Sequence, residues 1–132
     1  MKKLLAILAF CLAPALALAH RATTQTVGAT TATVDGVTPA DGKIAVIQAQ
    51  CLGIRSDRGA GGYYRRIGFF SRSGATSVQI GTTDTFDREA AAIALADVAF
   101  VINGPEVNVQ TTGVAAVTIN WTCDTRVLIM EE

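Results

Sequence analysis

Two cysteines, Cys51 and Cys123, are the residues of this chain whose chemistry is easiest to predict. Neither stands in a C-x-x-C motif, which argues against a structural zinc site. In an oxidising compartment an isolated pair is a candidate disulfide. A bridge between these two cysteines would close a loop of about 70 residues and stabilise the fold by about 4 kcal/mol. The alternative is two buried free thiols, which a protein core accommodates well. We expect the disulfide, with free thiols as the competing interpretation.

His20 is the single histidine of the chain and the one candidate metal ligand with defined chemistry. If the chain is cleaved after Ala19, the α-amine and the ring of His20 could together chelate Cu(II). The start of the mature chain would then resemble that of histidine-brace copper proteins, which require a second histidine that this chain lacks. We therefore predict no metal site, and His20 stays a remote candidate for copper.

The densest group of carboxylates is formed by Asp84, Asp87, Glu89 and Asp97. A glycosidase requires two carboxylates that face each other at a set separation, whereas aspartates near strand ends usually stabilise turns. A serine nucleophile would lack both a G-x-S-x-G motif and a well-placed histidine base. The glycine-rich run at 59–62 lacks the Lys-Ser/Thr of a phosphate-binding loop. These patterns favour a protein that is not an enzyme and binds no cofactor.

An aromatic and arginine-rich segment, residues 63–72, is the strongest candidate for a contact surface. Alternate residues of a strand point to opposite faces, so one set is expected to join the core and the other to face solvent. The exposed set would form a stripe of rings and guanidinium groups, a composition enriched at protein interfaces and suited to stacking on sugars. The alternative is an ordinary solvated strand whose arginine stems cover the rings. The candidate interaction residues are Tyr63, Tyr64, Arg65, Arg66, Phe70 and Arg72.

Strict alternation over residues 117–129 predicts a long, half-buried antiparallel strand, because a helix would scramble the two sets of side chains. Trp121 and Cys123 share one face of this strand. On an earlier strand, Ile47 and Cys51 share a face, so both cysteines are expected to point inward, as a bridge between strands requires. The predicted core residues are Ile47, Val107, Val109, Ile119, Trp121 and Val127.

Turn motifs between the predicted strands indicate the fold class. Asn103-Gly104 and Ser73-Gly74 are typical of hairpins. Residues 20–41, rich in Thr and Ala, are expected to form an extended lead-in with one strand near 27–34. The alternatives for residues 87–97 are one or two helical turns or another strand. The sequence thus predicts an all-β domain over residues 42–132, an antiparallel, jelly-roll-like β-sandwich of about six to eight strands.

Residues 1–19 have the composition of a cleavable signal peptide. Lys2 and Lys3 precede an apolar run over residues 4–16, and Ala17-Leu18-Ala19 forms a small-x-small cleavage signal. No second apolar segment of spanning length follows, so we expect export to the periplasm or the medium and no integral membrane segment after cleavage. Eleven basic and eleven acidic residues give no general attraction to nucleic acid.

The order and spacing of these motifs resemble those of β-domains in bacteriophage virion proteins, particularly tail fibres and other tail-associated parts. The resemblance covers residues 34–132: a strand at 42–50, a glycine-rich turn, the aromatic and arginine-rich strand, a Thr-rich strand, an acidic and alanine-rich segment, Asn103-Gly104-Pro105 and the closing strand around Trp121. It implies a structural or recognition role in the virion, with copies of the chain or other tail proteins as partners. The alternatives are an exported adhesin-like, pilin-like or carbohydrate-binding module that contacts a surface glycan, and the remote copper protein.

Overall fold

The computed structural model describes residues 18–130, and the backbone there is mostly extended. The alternation of inward apolar and outward polar side chains accounts for this, since a strand places such a pattern on two opposite faces. The predicted signal peptide lies outside the described residues except for Leu18 and Ala19, which belong to the first strand. The eight strands within residues 18–130 are β1 (Leu18–Val27), β2 (Thr31–Val37), β3 (Ile44–Arg55), β4 (Gly61–Ser73), β5 (Thr76–Glu89), β6 (Asp97–Asn103), β7 (Glu106–Thr112) and β8 (Thr118–Met130).

All strand pairs are antiparallel, and they form two sheets. The large sheet has the order β1-β8-β3-β4-β5, and the small sheet has the order β2-β7-β6. Successive hairpins join β3, β4 and β5, whereas the pairing of β1 with β8 and of β2 with β7 is the jelly-roll-like part of the topology. The antiparallel β-sandwich predicted from the sequence is confirmed. No helix within residues 18–130 has the length and apolar content needed to cross a membrane.

The core between the sheets consists of two clusters of side chains that both contact Phe100. In one cluster the rings of Tyr64 and Trp121 lie 5.4 Å apart, and in the other Phe70 packs edge-on against Phe100 at 5.3 Å. Such pairs stabilise the fold through the area they bury and through contact between the rings. The six predicted core residues all lie buried here: Ile47, Val107, Val109, Ile119, Trp121 and Val127.

Two glycines in the large sheet make room for the core rings. A Cβ at Gly53 would lie 2.7 Å from the ring of Trp121, and a Cβ at Gly68 would lie 2.7 Å from the ring of Phe70. Both distances are far inside van der Waals contact, so a side chain at either position would displace the ring beside it. These glycines therefore mark the inner faces of β3 and β4.

A disulfide joins Cys51 to Cys123 within the large sheet. The two residues are direct cross-strand partners in β3 and β8, with their Cα atoms 4.1 Å apart, and both are buried. The bridge predicted from the sequence is thus present. The inward-facing register of the two strands is what brings the sulfur atoms together.

The segment expected to be a lead-in is part of the sandwich. β1 pairs with β8 from end to end, and β2 pairs with β7 in the small sheet. The strand expected near residues 27–34 is only partly present: a turn interrupts it at residues 28–30, where Gly28 has a φ of +67°, and residues 31–34 form the first half of β2. Small residues suffice in β1 because buried Thr26 accepts a 2.9 Å hydrogen bond from Nε1 of Trp121 instead of packing a large side chain. The strands of the sandwich therefore start at Leu18 and not at residue 42.

Residues 87–97 combine both conformations that the sequence left open. Strand β5 extends to Glu89, a 3₁₀ turn covers Ala91–Ile93, and β6 begins at Asp97. The turn carries the chain from the large sheet to the small sheet and buries Ile93 in the core. The neighbouring alanines favour helix by composition, but most of them are exposed. Because helices in proteins are stabilised mainly by packing, the helical turn does not extend into a longer helix.

Candidate functional site

Strand β4 carries three doublets of like residues, and each doublet splits between the two faces of the sheet. The structure thereby corrects the predicted interaction strip, because half of its members lie in the core at 4% exposure or less. The physical reason is the two-residue period of a strand, which prevents adjacent residues from sharing a surface. Arg72, at the end of the strip, is half-buried, and its Nε has no hydrogen-bond partner among residues 18–130. The inward members of the doublets are Tyr64, Arg66 and Phe70, and the outward members are Tyr63, Arg65 and Phe69.

Arg66 is a buried cation where the edges of the two sheets meet. Its guanidinium donates to the carboxylates of Asp87 and Asp97, with 2.8 Å between Nη2 and Oδ1 of Asp97, and its Nε donates to the carbonyl of Val98. Burial by itself would lower the pKa of Arg66, but the hydrogen bonds and charges of the two carboxylates outweigh it and raise that pKa. Because these partners belong to β5 and β6, Arg66 fastens the large sheet to the small one.

Tyr64 binds a third carboxylate of the same group. Its hydroxyl donates a 2.7 Å hydrogen bond to Oε2 of Glu89, while its ring packs against Trp121. Burial first, and then the hydrogen bond and charge of Glu89, raise the pKa of Tyr64 well above its ordinary value. Three carboxylates of the cluster thus accept hydrogen bonds from a buried residue of β4: Asp87, Glu89 and Asp97.

The outward side chains of the large sheet form one broad surface, here called the outer face. Cross-strand pairing arranges them in rows that run across β1, β8, β3, β4 and β5. The rows through Asn120, Thr122 and Asp124 form its polar half. The rows through Leu128 and Met130 form its apolar half.

In the polar half, the ring of Phe86 organises its neighbours. The guanidinium carbons of Arg65 and Arg88 lie 5.5 Å and 5.4 Å from the centre of that ring, a cation–π arrangement. Tyr63 packs edge-on against the same ring, with the two centroids 6.2 Å apart. These contacts fix the orientation of Tyr63 while leaving it partly open to solvent.

A depression of about 560 Å³ opens in the polar half beside Tyr63. Leu52 and Ile54 of the central strand β3 line it and are 50% and 46% exposed. Two arginines reach it, Arg55 from the end of β3 and Arg58 from the turn between β3 and β4. The site therefore combines an apolar base, an aromatic ring and cationic groups.

The opposite side of the depression is held in place by side-chain hydrogen bonds between β1 and β8. Arg21 donates from Nε and Nη2 to the two carboxylate oxygens of Asp124, at 2.7 Å and 3.1 Å. The hydrogen bond from Arg21 holds the pKa of Asp124 below its ordinary value. Gln25 donates a 2.8 Å bond to Oδ1 of Asn120, which orients that amide. The polar groups are thus preorganised by the sheet.

The apolar half presents two adjacent rows of large apolar side chains. Its exposed members range from 38% exposure at Ile44 to 56% at Val78. The row that separates it from the polar half has Arg126 towards one end and Asp84 at the other. The two apolar rows are Leu128, Val46, Phe69 and Ile80, followed by Met130, Ile44, Ser71 and Val78.

His20 lies in β1, apart from the depression. Its Nδ1 is 3.0 Å from Oδ1 of Asp35, within hydrogen-bond distance of that carboxylate. Among the residues that the structure describes, no three His, Cys, Asp or Glu side chains come together as metal ligands. The carboxylate of Asp35 lies beside the ring of His20, and the copper hypothesis stays a prediction.

Sequence reasoning missed most of the depression. The sequence did contain a signal for Leu52 and Ile54. The buried face of β3 carries Ala49 and Cys51, so large apolar residues on the opposite, solvent-facing side indicate a contact surface. Arg21 had no signal, since it joins the site only through the pairing of β1 with β8.

No protein-family model matches the chain, and no curated protein matches it in sequence. Among solved structures, the chain is similar to the tailspike protein of Acinetobacter baumannii phage AM24, with a TM-score of 0.43 and 5% sequence identity. The similarity covers 86% of this chain and 28% of the tailspike chain, so this chain spans a little over a quarter of that protein's length. A likeness this weak assigns no function, and the outer face has to be interpreted from its own chemistry.

Proposed function

We propose that this chain is a non-enzymatic structural module of the phage-tail type, which assembles with a second copy of itself through the apolar half of its outer face. The motif order described above supports this proposal, because the tail-associated domains that it resembles imply copies of the chain or other tail proteins as partners. The single observation that carries it is the pair of exposed apolar rows. A soluble monomer rarely exposes a large contiguous apolar patch, and such patches usually mark interaction sites.

A second copy suits this half because the flanking charges are complementary to themselves. Arg126 and Asp84 occupy the same row, with Gln48 and Ile67 between them. Two copies can face each other across a two-fold axis that runs parallel to the strands, midway between β3 and β4. Each row then meets its own reverse, and Arg126 of each copy faces Asp84 of the other.

The same axis pairs the apolar rows with each other. Leu128 faces Ile80 of the second copy, and Val46 faces its Phe69. Two sheets in face-to-face contact lie about 10 Å apart, the spacing of an ordinary sandwich core, so these side chains would be buried between the copies.

The carboxylate cluster supports a role without catalysis. Asp87 and Asp97 neutralise buried Arg66, and Glu89 accepts a hydrogen bond from Tyr64. A glycosidase needs one carboxyl group to donate a proton and a second to attack or to activate water. Carboxylates already engaged with buried partners are poorly suited to either task.

Self-association is tested first by charge placed in the apolar half. We expect Phe69→Glu to weaken dimerisation at least ten-fold in sedimentation equilibrium, because a carboxylate would be buried without a partner. The matched control is Leu95→Glu, which changes an apolar residue at 82% exposure outside the outer face and should leave the association unchanged. A wild-type chain that stays monomeric at millimolar concentration would overturn the proposal.

Charge reversal tests the orientation of the two copies. Asp84→Arg and Arg126→Asp should each weaken dimerisation, because like charges would then face each other across the axis. The double variant should restore it, since both contacts are re-formed with the signs exchanged. Single variants that weaken dimerisation without rescue in the double variant would exclude this axis.

The virion assignment is tested by where the native chain occurs. Mass spectrometry should find it in density-banded phage particles. Its presence in periplasm or medium alone, with an N-terminal peptide that begins at His20, would overturn the assignment in favour of an exported binding module.

A further inference from the structure

We infer that the depression in the polar half binds an acidic glycan, that is, an oligosaccharide whose sugars carry carboxylate groups. This site goes beyond the proposed self-association and rests on different residues. A dimer about the axis proposed above would also bring the polar halves of the two copies face to face, so the glycan and the second copy compete for the outer face. The inference depends on the chemical groups that converge there, each of which matches one part of such a ligand.

The apolar base and the ring match the C–H face of a sugar. Leu52 and Ile54 are about half exposed, and Tyr63 packs edge-on against Phe86. A pyranose ring has one face of C–H groups that packs on aromatic and aliphatic surfaces, and covering these residues would remove apolar area from water. A ring already fixed in place loses little conformational entropy on binding.

Amides and hydroxyls beside that base match the hydroxyl groups of a sugar. Gln50, Asn120 and Thr122 all line the depression. Each can both donate and accept hydrogen bonds, as a sugar hydroxyl does. Asn120 is oriented by Gln25, so this part of the site is formed before a ligand arrives.

The charge of the depression favours an anion. Three guanidinium groups, those of Arg21, Arg55 and Arg58, line it against the single carboxylate of Asp124. Arg55 is paired with Asp57, and Arg21 is paired with Asp124, whereas Arg58 makes no ion pair among residues 18–130. A guanidinium fork matches a carboxylate in a bidentate geometry, so Arg58 is the group that we assign to the ligand's charge.

Titration calorimetry with tetragalacturonate tests this assignment. The full chain carries Phe69→Glu in these experiments, so that a second copy cannot cover the outer face and a failure of self-association cannot be mistaken for a failure of glycan binding. We expect saturable binding of tetragalacturonate and at least ten-fold weaker binding of its methyl ester, which keeps the sugar rings and removes the charges.

Two variants locate the site. Tyr63→Ala should weaken binding at least ten-fold, and Arg58→Ala should weaken it three- to ten-fold for the acid while leaving binding of the ester unchanged. Lys43→Ala is the matched control, because it removes one positive charge outside the depression and should change the affinity less than two-fold. Urea unfolding of each variant establishes that the fold is retained.

Four results would overturn the inference. They are the absence of binding, equal binding of acid and ester, binding that survives Tyr63→Ala, and tighter binding of single-stranded DNA than of tetragalacturonate. The second would indicate a neutral glycan, and the last would indicate a site for phosphate groups.

Discussion

The two faces of β4 carry the same three residue types. On the inner face Tyr64, Arg66 and Phe70 are at most 4% exposed. On the outer face each has a neighbour of its own type: Tyr63, Arg65 and Phe69. Residue type is thus held constant along this strand while the environment changes. The difference between the two faces shows what each environment does with a phenol, a guanidinium and a phenyl ring.

The arginine doublet shows the contrast most directly. Arg66 is surrounded by Asp87, Asp97 and the carbonyl of Val98, so its position is fixed by several strong hydrogen bonds. Arg65 rests on the ring of Phe86 and keeps its charge at the surface. The inner face therefore stabilises the fold, and the outer face is left with groups that are available to partners.

The phenylalanine doublet should give the largest difference in stability. Phe70→Ala should lower the free energy of unfolding by about 4 kcal/mol, because it removes a buried ring and leaves a cavity beside Phe100. Phe69→Ala, at a residue 44% exposed, should cost less than about 1 kcal/mol in the monomer. Urea unfolding with the disulfide intact measures both. Equal losses would mean that the two faces do not differ as the structure indicates.

The arginine doublet should come next. Arg66→Ala leaves the carbonyl of buried Val98 without its donor and two partly exposed carboxylates without their cation, so we expect a loss of about 2 kcal/mol. Arg65→Ala removes one cation–π contact at the surface and should cost less than about 1 kcal/mol. Comparing the urea midpoints of the two variants at pH 7 tests this. A small loss for Arg66→Ala would show that the sheets hold together without the ion pairs of Arg66.

The doublets also explain how far the sequence could predict the contact surface. Alternation sorted β4 correctly into two sets of residues, but both sets contain tyrosine, arginine and phenylalanine, so residue type could not tell which set was buried. The glycines carried that information. Gly62 and Gly68 belong to the inner set, where the rings of Tyr64 and Phe70 need the space that a side chain would fill.

The sequence predicted other parts of the fold to different extents. The disulfide could be predicted because Cys51 and Cys123 each lie on the apolar face of a strand with strict alternation, and the two strands are neighbours in the sheet. The sequence could not predict that β1 belongs to the sandwich, because the inward residues of this strand are small. The group that ties it to the core, Thr26, is polar and accepts a hydrogen bond from Trp121, which lies on a strand far along the chain.

The tyrosine doublet should give a smaller difference. Tyr64→Phe removes a hydroxyl that donates to Glu89, and we expect a loss of about 1.5 kcal/mol, since hydrogen bonds to a charged acceptor are stronger than average. Tyr63→Phe keeps the ring on Phe86 and should change stability by less than about 0.5 kcal/mol. Thermal unfolding of both variants at the same pH provides the measurement. A larger loss for Tyr63→Phe would contradict the assigned hydrogen bond.

The smallest effect, within about one pH unit above pH 10, is a pH dependence confined to the inner tyrosine. Burial, the hydrogen bond to Glu89 and the nearby carboxylates raise the pKa of Tyr64 in the folded protein above the value of about 10 that an unfolded chain shows. The folded state therefore retains a proton that the unfolded state loses. The stability that this contributes is fully present below about pH 10 and falls as the pH rises further, by up to about 1.4 kcal/mol per pH unit.

Tyr63→Phe makes this measurable, because Tyr64 is then the only tyrosine left in a chain that has two. In the folded variant, absorbance at 295 nm should stay flat as the pH passes 10 and should rise only with unfolding, whereas in urea the same phenol should titrate near pH 10. In Tyr64→Phe, unfolding followed by the fluorescence of Trp121 should lack this tyrosine contribution to the loss of stability above pH 10. Reversible ionisation near pH 10 in folded Tyr63→Phe would show that Tyr64 is open to solvent, and the contrast between the two faces of β4 would then fail at this doublet.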